Sequence, residues 1–374
     1  MSRLREIKTI GQSIWLDYIQ RGLLVRGELK DLMEKDGISG VTSNPTIFEK
    51  AISGTEDYNP SILSYVQAEP GMDAMALFER LAVEDIRMAA DLLRPIYDET
   101  DGLDGYVSME VSPHLAHDTA GTLSEVKRLW KEINRPNLMI KVPATPEGIP
   151  AIEALTAEGI NINVTLIFSM KHYESVARAY IRGLTRCSDP VRVSSVASFF
   201  VSRLDTAVDR LLDRVGTPEA LSLKGKTAIA NARIAYRRFC EIFYGEPFFV
   251  LRNRGARVQR VLWGSTGTKN PAYSDVYYVE ELIGPDTVNT IPPATLEAFR
   301  NHGRVCPALD RGGAEAEKVL QKIEAVGVDL GEVTEQLQKD GVKAFADSFD
   351  NLLHSLAEKL GEILARESDG STIS

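Results

Sequence analysis

Asn137-Leu-Met-Ile-Lys141-Val-Pro-Ala-Thr145-Pro146 is an apolar run with a single lysine set into it. Leu138, Met139, Ile140 and Val142 leave no alternating polar face, which is the pattern of a parallel strand covered on both sides. A charge in such a strand has two readings. The side chain can snorkel to the rim of the sheet and keep its ammonium in water. Alternatively the amine is partly desolvated, its pKa falls, and it becomes a nucleophile toward carbonyl carbon. The stretch alone leaves both open, so residues elsewhere must decide.

Outward from this strand one pattern repeats. Thr145 suits an N-cap and Pro146 the first helical position, so the lysine strand feeds a helix ending near Glu158-Gly159. Residues 160–168 read as the next strand, Ser169 as a cap, and Tyr173, Val176, Ala177, Tyr180, Ile181 and Leu184 as the buried face of the helix that follows. Further strands are expected at residues 13–19, 38–43, 105–111, 192–200, 259–265 and 286–290. Helical spacing fills the intervals: residues 26–35, 123–133 and 224–244, and 48–93 with breaks at Ser53-Gly54-Thr55 and Glu69-Pro70-Gly71 and a stop at Arg94-Pro95. The chain from Ala314 is helical, and its last piece sets Phe345, Phe349, Leu352, Leu353, Leu356, Leu360 and Ile363 on one face. That stripe fits packing over the body of the protein better than a partner surface. Eight short strands separated by helices, without a compositional break, predict an α/β protein: a single (β/α)8 TIM barrel with additional helices, including a C-terminal helix packed on the barrel. One catalytic domain is expected over residues 1–366, with a flexible tail over 367–374.

Composition narrows the function. Forty-three basic and 53 acidic side chains give a net charge of −10, so no general basic field would draw nucleic acid, and an anionic substrate needs its own basic pocket. No run approaches the ~18 apolar residues of a membrane helix, and Met-Ser-Arg-Leu-Arg-Glu-Ile has no signal-peptide core, so a cytoplasmic protein without a membrane partner is expected. Cys187, Cys240 and Cys306 are scattered and read as reduced thiols. His114 and His117 are three apart, but with no obvious third ligand and a loop setting, solvated or locally hydrogen-bonded imidazoles are expected rather than a metal site.

Barrel sites are assembled at the carboxyl ends of the strands, where residues two apart share a direction. Asp17, Asn44, Glu110 and Lys141 end or follow the first four strands; Asn163 and Thr165 lie two apart on the fifth; Ser198 and Phe200 end the sixth, with Arg203 just beyond. Six consecutive strands thus deliver polar groups to one rim, which favours the nucleophile reading of Lys141. A lysine that attacks a ketone must be unprotonated, and bringing an amine from ~10.4 to ~7–8 costs roughly 3–5 kcal/mol. Asp17 and Glu110 are the carboxylates available for proton transfer, or for an ion pair that would instead hold the lysine's proton on.

Trp15-Leu-Asp17, Gly40-Val-Thr-Ser-Asn44-Pro-Thr-Ile-Phe48, Met109-Glu110-Val-Ser-Pro113, Met139-Ile-Lys141-Val-Pro-Ala-Thr145 and Ile162-Asn163-Val-Thr-Leu-Ile-Phe168 together resemble transaldolase. The resemblance covers nearly the whole chain. Leu262-Trp-Gly-Ser265-Thr-Gly-Thr-Lys269-Asn-Pro-Ala-Tyr-Ser274 is similar to the longer bacterial form. It implies a cofactor-free and metal-free mechanism: Lys141 as the Schiff-base amine, Asp17 acting on the hydroxyl at the cleaved bond, and Glu110 with Thr165 holding and activating a water. Asn44 and Asn163 would hold the dihydroxyacetone fragment, and Ser198, Phe200 and Arg203 match the phosphate-binding part. Smaller relatives place a second arginine after strand seven. Here that region reads Ser265-Thr-Gly-Thr-Lys269, which makes Lys269 the candidate second cation and does not fit a nucleotide phosphate loop.

The implied activity is transfer of a dihydroxyacetone unit from sedoheptulose 7-phosphate or fructose 6-phosphate to glyceraldehyde 3-phosphate or erythrose 4-phosphate, in the non-oxidative pentose phosphate pathway. Two rivals stay open: a class I fructose 6-phosphate aldolase that releases dihydroxyacetone, and a catalytically silent sugar-phosphate-binding barrel. Homodimer and monomer are equally open.

Overall fold

The computed structural model describes residues 2–310 and 312–368, with side chains as far as Leu364. Eight strands close into one barrel in chain order, every neighbouring pair parallel. They are β1 (Gln12–Leu16), β2 (Gly40–Thr42), β3 (Tyr106–Glu110), β4 (Leu138–Pro143), β5 (Ile162–Ile167), β6 (Ser195–Phe200), β7 (Arg260–Gly264) and β8 (Thr287–Ile291). Helices wrap the outside, which is the expected (β/α)8 architecture.

The continuous burial of the strands follows from having two apolar neighbours. Ile14, Leu16, Val107, Leu138, Ile140 and Val142 join the large core under the helices, whereas Trp15, Tyr106, Met139, Val196, Leu262 and Val288 form a separate cluster inside the barrel. Trp15 dictates a glycine opposite, because a Cβ on Gly40 would lie 2.5 Å from its ring. The inner cluster fills the barrel below the strand ends, so a polar group at those ends sits on a packed floor rather than over a channel.

Local boundaries differ from expectation in three places. The helix expected over residues 26–35 is Glu28–Asp36, and a short helix that was not expected, Arg21–Val25, precedes it across Gly27 at φ +80°. The breaks within 48–93 occur as predicted, between Pro45–Ser53, Asn59–Ala68 and Ala74–Glu99, but the third helix runs through Pro95. Pro95 is exposed and near the helix end, where water can serve the freed carbonyl; Arg94 pairs with Asp98 at 2.7 Å and Tyr97 packs on Tyr106, holding the last turn. After β4 the helix is Gly148–Ala157, later than Thr145-Pro146 suggested. Thr145 still receives the Gly148 N–H at 3.0 Å, but its hydroxyl also donates to the Ala116 carbonyl at 2.6 Å, which ties it to the loop after β3.

The C-terminal helix Leu330–Ser368 lies across the barrel's carboxyl end. Phe345, Phe349, Leu352, Leu356 and Ile363 are buried, and Leu353 and Leu360 pack against the core. Helix continues past the expected break at residue 367 to Ser368; the remainder of the proposed tail lies outside the described residues. No helix among the described residues is long and apolar enough to cross a membrane.

Candidate active site

Lys141 is 5% exposed, and its Nζ ends inside the barrel instead of snorkelling to the rim. The amine donates to the Ser43 carbonyl at 2.9 Å and lies 3.5 Å from Glu110 Oε2. The register sets Glu110, Lys141 and Asn163 side by side on β3, β4 and β5, all facing inward. Asn163 donates to Ser108 Oγ at 3.0 Å and accepts from Ser198 Oγ at 2.6 Å, a chain that fixes which way its amide points. Thr165 Oγ1, two residues on, is buried without a hydrogen-bond partner among the described residues.

Asp17 follows β1. It makes no ion pair with Lys141 within 4 Å and is held by the Thr42 hydroxyl at 2.8 Å, with the Thr290 hydroxyl 2.6 Å beyond. Burial pushes the Asp17 carboxyl above its ordinary pKa, against the opposing pull of Lys141, Thr42 and Arg203. Burial does the same to Glu110, again against Lys141. Two carboxyls are therefore kept closer to neutral than usual beside one buried amine, and only one of them is within ion-pair reach of it.

A cavity of about 90 Å³ is lined by Asp17, Thr42, Asn44, Lys141, Asn163, Thr165, Ser198, Phe200, Arg203, Leu262, Gly264, Ser265, Thr290 and Phe345. Most of the predicted site residues thus come together. Asn44 also caps the helix Pro45–Ser53 by accepting from Ile47 N at 3.0 Å, and Ser265 sits at φ +57°, 3.0 Å from Ser202 Oγ. Glu110 stands behind Lys141 rather than in the lining. Lys269 is also outside it; the residue is exposed, yet surrounding protein desolvates its amine and, with Arg203 as second cause, lowers its pKa. His114 and His117 each take a different carboxylate, Asp350 at 2.7 Å and Glu147 at 3.1 Å.

Five lining residues escaped the sequence reading, Leu262 and Gly264 of β7 because no polar group marks them. Thr42 is two before Asn44 and could have been found by strand parity. Thr290 is the last but one residue of β8, a strand from which the sequence reading took no site residue. Phe345 arrives on the C-terminal helix and has no local signal.

A closed parallel barrel with a buried amine and two largely desolvated carboxyls at its strand ends defines an α/β-barrel equipped for carbonyl chemistry. Residues 14–356 match the model of the transaldolase/fructose-6-phosphate aldolase family, and the chain belongs to that family. It is 47% identical to a transaldolase of Thiobacillus denitrificans over 94% of this chain and 99% of the relative. It is 45% identical to transaldolase 2 of a Nostoc species, over 96% and 98%, and 46% identical to a transaldolase of Thermobifida fusca, over 96% and 98%.

Proposed function

We propose that this protein is a transaldolase, an enzyme that moves a dihydroxyacetone unit from sedoheptulose 7-phosphate or fructose 6-phosphate to an aldose phosphate in the non-oxidative pentose phosphate pathway. The observation that carries the reading is Lys141 Nζ buried 3.5 Å from Glu110 at one side of a cavity that Asp17 enters from another. Lys141 adds to the ketose C2 carbonyl, and loss of water from the carbinolamine gives the Schiff base. Glu110 is placed to move protons at that nitrogen through a water held with Thr165. Asp17 takes the proton of the C4 hydroxyl, the C3–C4 bond breaks, and its electron pair is held as the enamine while the aldose phosphate leaves. The enamine then adds to the acceptor aldehyde by the reverse steps. Asn44 and Asn163 line the cavity where the three-carbon fragment stays, and Arg203, with Ser198 and Ser265, faces the phosphate end; Lys269 is an outer cation for the same group.

Borohydride reduction in the presence of fructose 6-phosphate should leave a covalent adduct on Lys141, and none in Lys141→Met. Product formation should depend on added erythrose 4-phosphate. Equal turnover without the acceptor would make the protein an aldolase, and absence of any adduct at saturating ketose phosphate would remove the enzyme reading.

A further inference from the structure

Arg203 makes no hydrogen bond and no ion pair with any described residue, although Asp17 and Glu110 are near enough to act on it electrostatically. Its guanidinium lies instead between two rings, 5.2 Å from the centroid of Phe200 and 5.8 Å from that of Phe345. A ring face attracts a guanidinium without consuming its N–H donors, whereas a carboxylate would take two of them. The rings therefore hold the cation while leaving its donors for a ligand. Phe200 comes from β6 and is backed by Phe168 at 5.3 Å; Phe345 comes from the C-terminal helix, and Leu166 completes this small apolar cluster.

The helix is seated at the strand ends by one of its own faces. Gln338 Nε2 donates to the carbonyls of Ala144, after β4, and Leu166, in β5, at 3.0 and 3.1 Å. Leu166 has φ +59° beside a register shift between β5 and β6, and such a bulge turns a carbonyl away from the ladder. Gly341 comes against the Leu166 side chain so closely that a Cβ would lie 2.8 Å from it. One turn later on the same face stands Phe345. Thr46 with Ser348, at 2.8 Å, and His114 with Asp350 fix the next turns.

We propose that Phe345 is a positioning residue for Arg203, so that the C-terminal helix is a working part of the phosphate subsite. The sugar-phosphate identity of the ligand rests on the transaldolase reading; the clamp itself rests on the geometry of Arg203. Without the Phe345 ring the guanidinium turns toward Asp17 and Glu110, which both withdraws its donors and brings a cation closer to the two carboxyls.

Calorimetric titration with inorganic phosphate tests this in Phe345→Leu and Phe345→Tyr, with Phe345→Met as the replacement should the leucine variant not fold. The dissociation constant rises about three- to tenfold when the ring is lost and stays within about twofold when it is kept. With fructose 6-phosphate, Phe345→Leu raises KM while kcat changes by less than about twofold, and the acid limb of kcat/KM moves to lower pH. Wild-type phosphate affinity in Phe345→Leu overturns the proposal. So does an equal loss in Phe345→Tyr, no phosphate binding by the wild type, or a fall in kcat alone, which would assign the ring to Lys141, 5.9 Å away. A protein that shows the phosphate pattern but traps no ketose loses the transaldolase reading and keeps the clamp.

Discussion

Glu110 and Lys141 stand opposite each other in the β3–β4 register with Oε2 and Nζ 3.5 Å apart, and neither side chain reaches solvent appreciably. Burial raises the Glu110 carboxyl above 4.5 and the lysine charge opposes that rise. The acid limb of the rate profile should therefore lie at higher pH than an ordinary carboxylate would set. Glu110→Gln should lower kcat by about 10²- to 10⁴-fold, the scale expected for a lost acid–base group, and leave an acid limb set by Asp17 alone. A pH–rate series checks it; a variant within threefold of wild type would take Glu110 out of the proton path.

Asp17 depends on a two-hydroxyl relay. Thr42 donates to its carboxylate at 2.8 Å, and Thr290 lies 2.6 Å from Thr42. A donor to the charged form favours ionisation, so Thr42→Val raises the Asp17 pKa further and moves any step that needs the carboxylate to higher pH. A kcat loss of roughly ten- to 150-fold at neutral pH is expected, in line with one lost hydrogen bond to a charge. In Asp17→Asn, borohydride should trap the intact ketose in place of the three-carbon fragment. Mass spectrometry of the adduct distinguishes the two, and a three-carbon adduct there would mean another group breaks the bond.

Gly40 tests the barrel floor. Its Cβ position is 2.5 Å from the Trp15 ring, and that ring cannot swing away easily because Nε1 donates to Asp104 at 2.7 Å. Gly40→Ala should cost about 1–3 kcal/mol of stability, the usual range for overpacking. Scanning calorimetry should record the lower Tm; an unchanged Tm would show that the floor is loosely packed.

Asp205 links stability to pH. It is buried, accepts from Ala228 N at 2.7 Å and Tyr278 Oη at 2.9 Å, and burial pushes its pKa up to about 6. Between about 4 and 6 the folded state holds a proton that the unfolded chain has released, so this stabilisation is complete below about 4 and is lost as pH rises through about 6. A shift of about two units corresponds to at most ~3 kcal/mol. Asp205→Asn should flatten the Tm profile across that window, and an unaltered slope would assign the dependence to other groups.

Strand parity made much of the site legible. Asn163 with Thr165 and Ser198 with Phe200 share a direction because alternate residues of a strand face the same side, and the cavity contains all four. The same rule reaches Thr42 from Asn44. It cannot place Lys269, which lies on an irregular segment after β7 with no period to follow. Nor can it show that Pro95 stays helical, since that depends on Pro95 being exposed and Tyr97 being packed.

The sequence by itself determined the barrel, the inward direction of Lys141 and most of the polar groups at the strand ends, because hydrophobic period and strand parity are local properties of the chain. Only the tertiary structure decided that Lys141 faces Glu110 at 3.5 Å while Asp17 turns to Thr42, and that Phe345 lies against Arg203. Those relations depend on inter-strand register and on where Phe345, 142 residues beyond Arg203 on the C-terminal helix, comes to rest, and both are settled by packing between elements distant in sequence.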